Sequence, residues 1–170
     1  MKNLFAMAYS SYMKLVELLS GIQPVSLLLF RLWVALAFWH AGVVKLNDPM
    51  GTAYLFNYEY HVAIISPDIA AILGTYVELI LPWFLAFGLI GRMSALFLFV
   101  YNIVAVISYP ALWPHGLWVD FIGNEFIDHK AWGLMLLALM LFGPGKLSID
   151  AALAKWFWPR FSWVRNWHKD

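Results

Sequence analysis

The chain has 170 residues, 63% of them hydrophobic and 12% charged, with a formal net charge of +1. Soluble domains carry roughly a quarter charged residues, so a water-soluble core is not expected, and a charge this close to zero gives no argument for nucleic acid as a partner. Cysteine is absent, which excludes disulfides, thiolate chemistry, Cys-bound zinc and Cys-ligated iron–sulfur clusters within the chain.

From the N-terminus, residues 3–20 do not read as a signal peptide. Their apolar stretch is broken by Ser10, Ser11, Lys14 and Glu17, and no small-x-small cleavage site precedes Gln23-Pro24. They are expected to form a retained amphipathic helix on the membrane surface. Four apolar segments follow, at about 25–44, 69–90, 93–109 and 127–143. A spanning helix needs about 20 apolar residues. The first two segments meet this, the third is near the lower limit, and the fourth is short. Gly143-Pro144-Gly145 ends the last of them. Ser148 is placed to cap a new helix with Asp150 in its first turn. Residues 149–168 mix Trp156, Trp158, Trp163 and Trp167 with Lys155, Arg160 and Arg165, the pattern of an interfacial helix at headgroup level. The expected fold is all-α: an integral membrane four-helix bundle, one domain over 1–170, with amphipathic interfacial helices at both termini.

Lys and Arg set the orientation. With four spans, eight of these residues fall on the side of both termini, only Lys45 and Lys130 on the other, and Arg31 inside the first span. The termini are therefore expected in the cytoplasm and the chain in a bacterial inner membrane. The larger loops, 46–68 and 110–128, are expected outside and rich in aromatics packed on the bundle mouth. The turn at Gly91-Arg92 is very tight and makes an antiparallel hairpin of the second and third spans.

Glu78 is the most informative residue, a carboxyl group in the middle of the second span, where an unpaired charge is costly. At 1.5 Å per residue, Glu78 and Asn102 reach about the same mid-membrane level, which makes a Glu78–Asn102 hydrogen bond geometrically reasonable. Arg31 is the expected cation, either reaching inward to Glu78 or snorkelling to lipid phosphate. Pro82 frees the Glu78 carbonyl four residues back. On the first span, Arg31, Ala35, Phe38, Gly42 and Lys45 share one face, with Ala35 and Gly42 small enough for close helix approach. His40 points nearly opposite. At the outer side, His61, His115, Asp128 and His129, with Glu59, are metal-ligand candidates, although no pair has close helical spacing. No nucleophile elbow or phosphate loop is present.

Taken together, these motifs resemble the DoxX family. The resemblance runs over about residues 25–152. It is carried by Arg31-Leu-Trp-x-Ala-x-x-Phe38-x-x-Ala41-Gly42-x-x-Lys45, Glu59-Tyr60-x-Val62, Gly74-Thr-x-x-Glu78-Leu-x-Leu-Pro82, Gly88-Leu-x-x-Arg92, Asn102-x-x-Ala105 and Asp128-His129-x-x-Trp132-Gly133. It is nearest to proteobacterial members, including those encoded beside copper-linked, bufferin-type peptide genes. The longer third outer connection, from Trp113 to Phe126, departs from the pattern. The resemblance implies a four-helix inner-membrane protein whose marked positions are Arg31, Gly42, Lys45, Glu59, Tyr60, Glu78, Arg92, Asn102, His129 and Trp132. It also implies a link to quinone-dependent redox chemistry, with a quinone as the candidate cofactor, and to membrane redox-stress assemblies. Three functions follow as expectations. The first is a small membrane subunit of a quinone-linked oxidoreductase or of a redox or metal-stress complex. The second is a non-catalytic scaffold for a protein partner, with a homo-oligomer as one form. The third is a small transporter or metal-handling protein using the outer His and acidic residues.

Overall fold

The computed structural model describes residues 2–157. Among these, every regular element is helical. The elements are α1 (Lys2–Asn47), α2 (Pro49–Tyr58), α3 (Pro67–Phe87), α4 (Gly91–Ser108), a short 3-10 turn (Pro110–Leu112), α5 (Leu117–Ile122), α6 (Ile127–Phe142) and α7 (Ile149–Phe157).

The N-terminal segment and the first span, expected as separate elements, form one 46-residue helix that runs through Pro24. Such a helix is about 69 Å long, more than twice the roughly 30 Å of a hydrocarbon layer. Much of it therefore lies beyond that layer or along its surface. Packing begins only around Pro24. Residues 6–20 are exposed apart from half-buried Val16, whereas Leu27, Arg31, Val34, Ala35, Phe38 and Gly42 make a buried stripe. The spacing of that stripe is the period of one helix face, and His40 lies on the exposed side.

Three helices, α1, α3 and α4, are long and apolar enough to cross a membrane. α6 has 16 residues, about 24 Å of helix, and falls short of that length. It starts at Phe126, in the left-handed region at φ 39°, and stops at Gly143. α6 nonetheless packs along α4 and α1, and α3 packs mainly on α1. The core between them contains Val34, Phe38, Leu85, Leu98, Leu136 and Leu139.

The two ends of the packed helices differ. At one, α3 turns into α4 across three residues. Gly88 adopts φ 63° and its N–H donates to Leu85 O, while Leu89 N–H donates to Phe84 O, an αL helix stop. Ile90 also takes a positive φ, of 50°. The Asp150 carboxylate holds this turn by accepting Ile90 N–H at 2.8 Å and Gly91 N–H at 2.7 Å. Ser148 caps α7 through Ala151 N–H at 3.2 Å. The rest of the expected Trp- and Arg-rich segment, with Trp158, Arg160, Trp163, Arg165 and Trp167, lies outside the described residues. At the opposite, loop-rich end, Asp48 caps α2 by accepting Gly51 N–H at 2.8 Å. Phe56 of α2 is buried on Ala70 and Ala71 of α3, which folds the 46–68 connection over the mouth.

Candidate functional site

The contact between α1 and α3 is set by Gly42. A Cβ there would lie 2.9 Å from the Glu78 carbonyl carbon and 3.0 Å from Glu78 Cβ. The glycine therefore brings the backbone of α1 against α3 at the level of Glu78. Three residues further on, Lys45 leans back along the helix, because side chains tilt toward the helix N-terminus. Its ammonium ion pairs with Glu78 Oε2. The other carboxylate oxygen, Oε1, accepts the Tyr101 hydroxyl of α4 at 2.8 Å. The two charged side chains are only 15% and 7% exposed. Three helices thus meet on one carboxylate, and Pro82 has no N–H to give to the carbonyl behind it.

The cation beside Glu78 is therefore Lys45, not Arg31, and its hydrogen-bond partner on α4 is Tyr101, not Asn102. Arg31 is fully buried at the far end. Its guanidinium donates to Ala86 O at the end of α3, at 3.3 Å, and to Leu147 O in the connection to α7. It neither reaches Glu78 nor snorkels to lipid. Asn102 turns instead to α6: its amide donates to His129 O at 2.9 Å and its Oδ1 meets His129 Nδ1 at 2.9 Å. Trp132 packs on the His129 ring at 4.9 Å and on Phe38 at 5.5 Å.

A cavity of about 200 Å³ opens beside the ion pair. It is lined by Lys45, Glu78 and Tyr101 and by the rings of Phe56 and Tyr60, with Gly74 close to both Tyr101 and Phe56. Tyr60 is held in a stack of three rings, 4.7 Å from Phe56 and 4.7 Å from Tyr109. Tyr109 in turn donates to Glu59 Oε2 at 3.1 Å. Tyr60 lines the cavity, and Glu59 is linked to it through the Tyr109 ring. Burial pushes the Tyr60 phenol up to about 12, with Glu78, Tyr109 and Glu59 adding to the shift. Burial and the Glu59 bond raise Tyr109 as well.

The fold favours the neutral form of Tyr60. Its contribution to stability is intact below the unfolded phenol value of about 10 and is lost as pH rises toward 12. Thermal melting in detergent across that window should fall more steeply for the wild type than for Tyr60→Phe. Parallel pH profiles would show that the hydroxyl is not held neutral.

The metal-ligand candidates are not brought together. His61 Nδ1 lies 3.1 Å from Glu59 O. His115 pairs with buried Asp120 at 3.1 Å, Asp128 is exposed, and His129 is bound to Asn102. Among the described residues no three of His, Asp and Glu converge. Arg92, marked by the family pattern, lies at the opposite end of α4, where its guanidinium sits against Gly143.

The Tyr101–Glu78 bond and the reach of Asp150 to α4 are not signalled by the sequence. Tyr101 is one position from Asn102, and the depth argument that selected Asn102 applies to it equally. Asp150 lies in the first turn of α7 as expected, and its carboxylate also caps the N-terminus of α4. No local pattern reveals that long-range bond.

These features define a small helical membrane protein with an ion-paired carboxylate buried between its apolar helices. The DoxX family model matches residues 26–111, just over half of the chain. A protein of Haemophilus influenzae, named only as uncharacterized, is 31% identical over 142 residues, covering 83% of this chain and 91% of the relative. The chain belongs to the DoxX family. No solved structure matches it.

Proposed function

We propose that this protein is a four-span bacterial inner-membrane protein, with both termini in the cytoplasm, that binds a quinone headgroup in the Lys45–Glu78–Tyr101 cavity as the small subunit of a membrane redox assembly. The observation that carries the reading is the cavity itself. It joins an acid, an ammonium and a phenol to stacked rings, in an otherwise apolar surround. Small-molecule sites have this composition, a few converging polar groups in an apolar lining. The volume of about 200 Å³ suits a headgroup better than a drug-sized molecule, for which pockets run from about 300 Å³.

The residues fit the chemistry of such a ligand. Lys45 has N–H donors beyond the one used on Glu78 and would bind a carbonyl oxygen. Tyr101 and Glu78 form a hydrogen-bonded pair able to hold and release a proton at that oxygen. Tyr60 would pack a planar ring. Reduction of a bound quinone consumes electrons and protons. The electrons would come from a protein partner, since a chain without cysteine cannot ligate an iron–sulfur cluster through thiolates. The reading takes α6 as the fourth span, supported by its packing on α4 and α1 and by the eight-to-two distribution of basic residues that four spans would give.

Titration of purified protein with a short-chain benzoquinone is expected to show saturable binding that weakens at least about tenfold, roughly 1.4 kcal/mol, in Glu78→Gln. Equal affinity in both proteins, or no binding to either, removes the quinone reading. A second reading, a scaffold for a partner at the loop-rich end, is favoured by one observation. Trp118 and Ile122 of α5 are 76% and 87% exposed and project from the connection that departs from the family pattern. Recovery of the same partner by wild type but not by Trp118→Ser with Ile122→Ser would support it. The copper and metal-stress link has only the resemblance behind it.

A further inference from the structure

The long helix α1 carries a second stripe, on the side that the packed helices do not use. Gly42 turns toward α3. His40 and Trp33, further back along α1, are rotated from it by about 160° and 180°. From exposed His40, positions taken in alternating steps of four and three lead to Leu36, Trp33 and Leu29, all exposed. The same steps continue through half-buried Ser26 to Ile22, Leu19, Leu15 and Tyr12, exposed again. Every second position of the series, Leu15, Ile22, Leu29 and Leu36, is Leu or Ile. A period of 3.5 residues held over four heptads is the seam of a coiled coil. The charged residues of this stretch, Lys14, Glu17 and Arg31, all stand off the seam.

Hydrocarbon alone does not cover such a stripe. Gly42 meets Glu78, which stands midway along α3, so this level is close to the middle of the layer. Along the same unbroken helix, Tyr12 is about 45 Å from Gly42, roughly 30 Å beyond a half-layer of about 15 Å. His40 poses the opposite problem. It lies about 3 Å along the helix from the Gly42 level, where a polar group turned to acyl chains is costly. A helix running beside α1 over the whole seam answers both. A second copy of this chain supplies it without any further requirement. Two copies inserted in the same direction run parallel, and a two-fold axis along the seam sets each residue opposite its twin. His40 then faces His40, and the N–H of one neutral ring donates to the bare nitrogen of the other. The Leu and Ile positions face their own kind, and no like charges meet.

We propose that α1 pairs with α1 of a second copy as a parallel, in-register, two-stranded coil from Tyr12 to His40. None of the seam residues lines the Glu78 cavity, so the pairing is independent of the quinone reading and its test involves no quinone.

The chain has no cysteine, so single cysteines report contacts one at a time. Isolated membranes containing the full chain are treated with a mild oxidant. Leu15→Cys, Ile22→Cys, Leu29→Cys and Leu36→Cys should each give a disulfide-linked species of twice the chain mass. Its yield should be at least about tenfold above that of Ser10→Cys and Glu17→Cys on the opposite face, because bridging needs Cβ atoms within about 4.5 Å. Two differently tagged copies, expressed together, establish that both chains of the species are this protein. A second experiment tests the register. Leu15→Lys alone and Leu15→Glu alone place like charges face to face and should lower the dimer fraction in mild detergent, whereas the two expressed together should restore it. Leu15 is exposed, so these changes leave the fold of the single chain in place. The proposal is overturned by absence of the double-mass species, by equal yields on the two faces, or by an adduct of another mass, which would mean that a different protein covers the seam. It is overturned equally by crosslinking confined to Leu29→Cys and Leu36→Cys, which would leave the N-terminal half of α1 on the bilayer surface, or by no recovery in the Lys and Glu mixture.

Discussion

Lys45→Met is expected to lower stability by about 3–5 kcal/mol, the usual consequence of removing one partner from a buried ion pair. The loss is large because Glu78, 5% exposed, would keep its carboxylate in an apolar surround with only the Tyr101 hydroxyl on it. Glu78→Leu should cost less than Lys45→Met, since a lysine stem can carry its charge toward the surface while a mid-helix carboxylate cannot. The double variant Lys45→Met with Glu78→Leu should recover most of the loss, because neither charge is left behind. Unfolding of detergent-solubilised protein, followed by circular dichroism for all four proteins, measures the coupling directly. Single-variant losses that simply add in the double variant would mean that the pair does not act as a unit.

The second large effect belongs to Gly42→Leu. Overpacking a close contact costs about 1–3 kcal/mol, and here the obstructing atoms are Glu78 backbone and Cβ rather than a flexible side-chain tip. α1 and α3 must separate, and Lys45 is then carried away from Glu78. The variant should combine lower stability with weaker ligand binding in the Glu78 cavity. Gly21→Leu is the control. A Cβ there meets nothing within 4 Å, so the change should stay within about 0.5 kcal/mol or be mildly stabilising, as expected for replacing an exposed helix glycine. Equal effects at the two glycines, read by thermal melting and quinone titration together, would refute the close-approach argument.

Much of the architecture was legible because helix periodicity is a local property. The buried face Arg31–Ala35–Phe38–Gly42 and the short turn before Arg92 follow from spacing alone. The partners of the buried polar groups do not. Depth along a helix is additive, 1.5 Å per residue, but azimuth turns by about 100° with each step. Asn102 and Tyr101 are therefore equivalent in depth, while only Tyr101 faces Glu78. Lys45 counts with the outer residues by its place at the end of the span and is also a marked position on the Arg31 face, but its pairing with Glu78 depends on the backward lean of its side chain, which spacing does not give. His129 and Asn102 were each singled out, but on helices with no sequence relation between them, and their reciprocal bond is a product of how α4 and α6 pack. The absence of a break near Pro24 is tertiary too. Residues 6–20 before it are exposed apart from half-buried Val16, so no contact on that side forces the helix to stop.

The anchoring of Arg31 implies an order of assembly. One of its carbonyl acceptors belongs to Leu147, separated from it by 116 residues of chain. At about 5–20 residues per second of synthesis, the first hydrophobic helix enters the membrane roughly ten seconds before that acceptor exists. During the interval the guanidinium must remain solvated by headgroups or by the insertion machinery. Arrival of the final connection allows it to withdraw from water, latching the middle of α1 and the end of α3 to the connection that follows α6. A chain cut short before this connection would retain an unsheltered cation in its first hydrophobic helix, a ready mark for proteolytic clearance of incomplete molecules.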